Sequence, residues 1–166
     1  MDRLFRECVA QMRSATDYLS WREAAEFLDR HRGLEEWKQD ETSDDYDWRL
    51  IRSRLRQIRQ YRDEGEIAKL IYHLRQGLHW NLGNIGNPML YTSTNVGTKH
   101  LINEYVNEVS AVLEELSHLD RTVFPHADKL RFFHEVALSF GRSALMLSGG
   151  ATLGLFHVGV VKALYR

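Results

Sequence analysis

Hydrophobic residues recur every three or four positions along most of this chain, and that spacing predicts a series of amphipathic α-helices. The clearest case lies in the segment YDWRLIRSRLRQIRQYRDEG, where Ile51, Leu55 and Ile58 share one face. Asp47 is the expected N-cap of this helix, and Gly65 marks its expected end. The pattern therefore predicts a helix with one buried face and one strongly basic face.

The same periodicity predicts helices before and after this one. In the segment LSWREAAEFLDRHRG, Ser20 is the expected N-cap, with Glu23 completing a capping box and Gly33 ending the helix. Two further helices are expected. The longest begins near Thr98, and the other runs from about Pro125 to Phe140. The later apolar stripes comprise Ile67, Leu70, Ile71, Leu74 and Leu78, then Ile102, Tyr105, Val106, Val109, Val112, Leu113 and Leu116, then Phe132, Phe133 and Val136.

The periodicity stops in the segment NLGNIGNPMLYTSTNVG, residues 81–97, which is dense in Asn and Gly and contains Pro88. Such a composition predicts a loop without regular secondary structure. Loops of this length are commonly functional or packed by their own side chains, and Leu82, Ile85 and Leu90 are available for packing.

The pattern changes again near the end of the printed sequence. SALML, residues 143–147, is a short apolar run that predicts a buried strand, and the segment SGGATLG follows it as a glycine-rich turn. Helical spacing then returns through Leu155, Val158 and Val161. The predicted unit is therefore strand, glycine turn, helix.

Charge and cysteine content exclude several classes of function. The 166 residues carry a formal net charge of -1, which gives no overall attraction to nucleic acid. Cys8 is the single cysteine, so neither an internal disulfide nor a cysteine-based zinc site is expected. Eight histidines are scattered without metal-binding spacing, and no apolar run reaches the length of a membrane span. We therefore expect a cytosolic or membrane-peripheral protein without a metal.

The glycine turn is the best candidate for chemistry. A strand that leads into a helix through glycines leaves the first N–H groups of the helix without intrahelical partners, and these groups bind anions well. A dinucleotide fingerprint would require G-x-G-x-x-G, which the turn lacks, and no Gly-Lys-Ser/Thr follows as in a P-loop. The residues alone leave three possibilities open, namely a phosphate site, an oxyanion site and a purely structural turn.

Longer motifs resemble a known family. LMLSGGATLGLFHVGVVKAL is similar to the opening of a patatin-like lipase domain, and WREAAEFLD, YDWRLIRSRL, LRQGLHWNLGNIGNPMLY and GTKHLINEYVNEV resemble the helical region that precedes it in intracellular triacylglycerol lipases of plants and fungi. The resemblance implies a mainly α chain, with a helical accessory domain over residues 1–141. The first strand, turn and helix of a truncated α/β patatin-like domain would follow over residues 142–166.

The resemblance also implies a serine lipase that hydrolyses triacylglycerol without a cofactor. Gly149, Gly150 and Ala151 would form the oxyanion hole, and Gly154 would allow close helix-to-strand contact. The family has Gly at the third turn position and Arg or Lys before the last Gly, where this chain has Ala151 and Leu153. The nucleophilic serine of G-x-S-x-G and its aspartate are absent, so they would lie beyond the chain end and the fragment itself would be inactive.

The resemblance implies two partners, a neutral lipid substrate and the cytoplasmic surface of a lipid droplet or membrane. It implies no nucleic acid partner and leaves the oligomeric state open. A basic stripe at helical spacing is a candidate lipid contact, although pairing with acidic residues of the same protein explains it as well. The four tryptophans are expected to be core anchors. The stripe comprises Arg49, Arg52, Arg56 and Arg59.

Two other functions remain open at this stage. The chain could be a non-enzymatic helical interaction module that binds through the loop at residues 81–97. It could instead be a truncated nucleotide-binding domain, although Ala151 disagrees with that fingerprint.

Overall fold

The structure is a computed structural model that describes residues 3–140, 145–147, 149 and 154–164. Within those ranges the chain forms nine α-helices and one short 3-10 helix, and the mainly α fold class expected from the sequence is confirmed. The α-helices are α1 Arg3–Ser14, α2 Tyr18–His31, α3 Leu34–Gln39, α4 Trp48–Asp63, α5 Ile67–Gly77, α6 Met89–Thr92, α7 His100–His118, α8 His126–Phe140 and α9 Gly154–Leu164.

The main core lies between α4, α5, α7 and α8. Helix α4 packs against both α5 and α7, and α5 packs against α8. The predicted face of α4 is confirmed, because Ile51, Leu55 and Ile58 are all buried. The predicted ends are confirmed too, since the Asp47 carboxylate accepts a hydrogen bond from the Leu50 N–H. The other core residues include Leu70, Leu74, Leu90, Ile102, Tyr105, Val109, Val112, Leu116, Phe124 and Phe132.

Helices α1, α2 and α3 form the other packed group, and α3 contacts α7. The predicted N-cap of α2 is wrong, because the helix begins at Tyr18 and its cap is Asp17. The Asp17 carboxylate accepts from both the N–H and the hydroxyl of Ser20, at 2.9 and 2.8 Å. A carboxylate is the stronger acceptor at a helix N-terminus, so the serine acts as a donor here. Gly33 has the left-handed φ of 72° that ends α2 as predicted.

The segment at residues 81–97 is more regular than its composition predicts. It contains the 3-10 helix Leu82–Asn84 and α6. Asparagine side chains stabilise its turns: Asn81 accepts from the Gly86 N–H, and Asn87 accepts from the Met89 N–H, at 2.7 and 3.1 Å. These local side-chain hydrogen bonds satisfy backbone N–H groups that a longer helix or strand would otherwise pair.

The end of the described chain differs from the prediction in one respect. Residues 145–147, the described part of the predicted strand 143–147, adopt no regular secondary structure and are exposed. A strand requires a neighbour to accept and donate its backbone hydrogen bonds, and no strand occurs in the described ranges. The helix predicted after the turn is present as α9. The domain boundary at residues 141 and 142 stays a prediction.

Candidate functional site

The glycine turn is only partly described. Gly149 is exposed, with no heavy atom within 4 Å of an added Cβ, and Gly154 begins α9. Gly150 and Ala151 lie outside the described residues. The proposed oxyanion hole therefore stays a prediction from the sequence.

Helix α9, which follows the turn, exposes an unusual amount of apolar surface. Helices that are apolar on most sides are normally buried in a larger core. Among the described residues, nothing covers this one, so α9 has the character of an interior helix without the layer that would bury it. Its exposed apolar residues are Leu155, Phe156, Val158, Val160, Val161 and Leu164.

The basic stripe on α4 divides into two kinds of arginine. Arg52 pairs with Glu41, and Arg59 binds Glu104 and Glu108 of α7 at 3.1 and 3.2 Å. These two side chains therefore have acidic partners within the fold, which was the alternative explanation of the stripe.

Arg49 and Arg56 have no carboxylate partner in the described part of the chain. Both are exposed, and the Arg49 guanidinium lies 4.5 Å from the centre of the Trp48 ring. Of the predicted lipid contacts, these two are the cations available to a negatively charged surface. Arg62, outside the predicted stripe, pairs with Glu108 and Glu115 and adds to the link between α4 and α7.

A buried lysine, missed by the sequence analysis, ties α3 to the start of α7. Lys99 is 1% exposed, and its ammonium donates to the carbonyl oxygens of Trp37, Asp40 and Thr42 at 2.8, 2.8 and 3.3 Å. Burial lowers the pKa of Lys99, while the charges of Asp40 and Asp45 act in the opposite direction. The sequence offered one signal for this site, namely a lysine placed between a glycine-containing loop and the start of a helix. Lysines in such positions are too common for this signal to predict burial.

Asp29 forms a second buried polar contact, between α2 and the loop that precedes α7. Its carboxylate accepts from the N–H groups of Asn95 and Val96 and from the Asn95 side chain, at 2.7–3.1 Å. Lys38 completes the set with a buried ion pair at 3.2 Å. Burial acts to raise the pKa of Asp29, but these hydrogen bonds outweigh it and hold the pKa below its ordinary value.

An apolar groove of about 400 Å³ lies between the segment around α6 and one face of α7. Trp80, Tyr91 and Val106 line it, and Trp80 is 73% exposed. The expectation that all four tryptophans are core anchors is therefore wrong for Trp80. The reason is that residues 79–81 lie in the turn after α5, outside the helical stripe that faces the core.

Neither a membrane-spanning helix nor a metal-binding cluster occurs in the described ranges. No helix there is long and apolar enough to cross a membrane. Likewise, no group of three or more His, Cys, Asp or Glu side chains in that part of the chain is arranged to hold a metal ion.

Comparison with known families identifies the helical region. Residues 3–138 match the model of the family described as "Domain of unknown function (DUF3336)", which is most of the chain. The chain therefore belongs to the DUF3336 family. The match covers α1 to α7 and nearly all of α8.

Sequence identity to known lipases agrees with the family that the motifs resemble. The chain is 40% identical to Triacylglycerol lipase SDP1L of Arabidopsis thaliana over 92% of its length, and 38% identical to Triacylglycerol lipase 4 of Saccharomyces cerevisiae over 99%. It is 36% identical, over 93% of its length, to a patatin-like phospholipase domain-containing protein of Aspergillus terreus. These similarities confirm the resemblance to patatin-like triacylglycerol lipases.

The chain is much shorter than these proteins. It spans 18% of each of the two named lipases and 23% of the Aspergillus protein, or about a fifth of their length. No solved structure shows a significant match to the chain.

Proposed function

We propose that this chain is the N-terminal part of a patatin-like serine lipase that hydrolyses triacylglycerol in lipid catabolism. The observation that carries the proposal is the 38% identity to Triacylglycerol lipase 4 across 99% of the chain, because that match extends through both the helical region and the glycine turn. The catalytic serine and aspartate would lie beyond Arg166, and the 166 residues alone would be inactive.

In the proposed mechanism, the glycine turn stabilises charge during acyl transfer. The serine oxygen attacks the ester carbonyl carbon while the aspartate takes its proton, and the carbonyl oxygen becomes negatively charged. The backbone N–H groups of Gly149, Gly150 and Ala151 then donate to that oxygen, and Gly154 lets α9 approach the first strand closely. Alanine retains its N–H, so Ala151 can serve where relatives of this type have glycine.

The helical region is proposed to place the enzyme on the cytoplasmic face of a lipid droplet or membrane. Arg49 and Arg56 support this role, because both are exposed and free of carboxylate partners within the described residues. Exposed cations of this kind are attracted to anionic lipid surfaces. The substrate would then be a neutral lipid held by the catalytic domain.

The test is fatty acid release from emulsified triolein by the complete gene product, with two substitutions at one position. Ala151→Pro removes the N–H donor, so we expect a fall in kcat of roughly 100-fold to 1,000-fold. Ala151→Gly keeps the N–H and should retain most of the activity. The proposal fails if the complete protein releases no fatty acid, or if the proline variant is as active as the glycine variant.

A further inference from the structure

An open cavity of about 590 Å³ lies between α4 and α5. None of the side chains around it is acidic. The lining residues are Leu50, Ser53, Arg54, Gln57, Tyr61, Ala68, Lys69, Tyr72, His73 and Gln76.

Arg54 is the principal charge in this cavity. One of its terminal nitrogens donates to the His73 carbonyl oxygen at 3.3 Å and lies 3.4 Å from the His73 Nδ1. A Cβ added at Gly77 would lie 3.4 Å from the same nitrogen, so the guanidinium occupies the space beside this glycine. No carboxylate contacts Arg54 within the described residues, so most donors of its guanidinium have no protein acceptor.

His73 adds a buried donor beside Arg54. Because an arginine can only donate, the His73 Nδ1 facing it must be the acceptor, and a neutral ring then carries its proton on Nε2. Burial, followed by the charge of Arg54, lowers the pKa of His73 and favours that neutral ring. The Nε2 atom is buried and has no hydrogen-bond partner in the described part of the chain, and the residue as a whole is 8% exposed.

The rim of the cavity is also rich in donors. Lys69 contributes a second cation, which is partly neutralised by Glu66 at 3.3 Å on the exposed side of α5. Tyr61 and Tyr72 also line the cavity, and the Tyr61 ring lies edge-on to His73 with 5.8 Å between ring centroids. Arg54, which has no carboxylate partner among the described residues, and Lys69 together give the cavity a positive charge that an acceptor with negative charge would match.

We propose that this cavity binds a phosphate group, either on a lipid headgroup or on a soluble phosphorylated molecule. A phosphate supplies several acceptor oxygens, and the planar guanidinium of Arg54 can bind two of them together. The site lies wholly in α4 and α5. Phosphate binding at this site can therefore be tested independently of the lipase activity proposed above.

The experiment measures binding of inorganic phosphate and of glycerol 3-phosphate to the 166-residue chain by titration calorimetry. Arg54→Gln should weaken binding by roughly tenfold or more, because it removes a charge-assisted hydrogen bond. Arg131→Gln is the matched control, since it removes the same charge from an exposed position on α8 that does not line the cavity. It should bind as the unmodified chain does.

A second variant keeps the test informative if Arg54→Gln disturbs the packing on Gly77. Gln57→Glu places a negative charge on an exposed lining residue and should weaken binding roughly fivefold or more, while helix content by circular dichroism stays unchanged. Sedimentation with phosphatidylcholine vesicles, with and without phosphatidic acid, separates the two sources of phosphate.

The outcomes are distinct. Binding that depends on Arg54 supports the site. If phosphatidic acid then adds Arg54-dependent sedimentation, the headgroup of a phospholipid is the ligand, whereas binding of soluble phosphates alone indicates a soluble ligand. The proposal is overturned if neither phosphate nor phosphatidic acid binds the unmodified chain, or if the Arg54→Gln and Arg131→Gln variants bind equally well.

Discussion

The ammonium group of Lys99 lies 4.3 Å from the centre of the Trp37 ring and donates a hydrogen bond of 2.8 Å to the carbonyl oxygen of the same residue. Lys99 is the N-cap residue of α7, and Trp37 lies in the last turn of α3. The lysine therefore satisfies carbonyl groups at the end of one helix from the beginning of another. A charge held this way fixes the position of the segment that precedes α7.

Replacing that lysine should destabilise the fold strongly. Lys99→Met keeps the length of the side chain but leaves buried carbonyl groups without a donor, so we expect the free energy of unfolding to fall by about 2–4 kcal/mol. Urea denaturation followed by circular dichroism measures the change. Lys69→Met, at an exposed position on α5, is the control and should cost less than about 0.5 kcal/mol. Equal losses in the two variants would show that Lys99 has no special role.

Asp29 should make stability depend on pH in acid. Its pKa is lower in the folded chain than the ordinary value of 3.8. The stabilisation it provides is therefore fully present above that ordinary value and is lost as the pH falls through the lower pKa of the folded state. We expect urea midpoints to fall more steeply with acidification in the unmodified chain than in Asp29→Asn.

At neutral pH, Asp29→Asn should itself cost about 3 kcal/mol, because an amide cannot accept from all of the donors that surround the carboxylate. Asp63→Asn, at the exposed end of α4, is the control and should leave the stability at neutral pH unchanged. A pH slope that Asp29→Asn does not alter would contradict the assignment.

The sequence predicted the parts of the fold that depend on neighbouring residues. Ile51, Leu55 and Ile58 are at helical spacing, and such spacing has few other solutions in a chain with good caps. Lys99 and Asp29 could not be predicted in this way, because their burial depends on carbonyl and N–H groups more than 50 residues away along the chain. Tertiary contacts of this kind leave no local pattern.

The candidate sites differ in the same way. The glycine turn was recognisable because its function would rest on consecutive backbone amides. The Arg54 cavity was not, since it arises only where α4 and α5 place Arg54 beside His73. The strand expected at residues 143–147 was inferred from apolar character alone, and its described residues lack a strand to pair with.

The arginines that join α4 to α7 should contribute modestly. Arg62→Met removes contacts with Glu108 and Glu115 at a partly exposed site, so we expect a loss of about 0.5–1 kcal/mol that shrinks at high salt. Arg56→Met, on the same helix without a carboxylate partner in the described ranges, should be neutral. Unfolding in urea at low and high sodium chloride tests this, and a salt-independent loss would argue against an ionic origin.

Gly83 should tolerate alanine less well than Gly65. Both have left-handed φ values, 58° and 67°, at which an alanine costs roughly 1 kcal/mol or more. A Cβ at Gly83 would also lie 3.3 Å from the Cδ1 of buried Ile51, whereas nothing lies within 4 Å at Gly65. We expect losses of about 2–3 kcal/mol for Gly83→Ala and about 1 kcal/mol for Gly65→Ala.

Thermal unfolding of both variants provides the comparison, with Gly83→Ala melting lower. If Gly65→Ala is the less stable of the two, then the contact between Gly83 and Ile51 is not what limits substitution at this turn.

The central claim is that this chain leads into a patatin-like catalytic domain, and reading the coding sequence beyond Arg166 tests it most directly. We predict a strand followed by G-x-S-x-G within roughly 20 to 40 codons, the usual arrangement of a nucleophile elbow. A stop codon directly after Arg166 would contradict the claim and leave a helical DUF3336 protein without a catalytic serine.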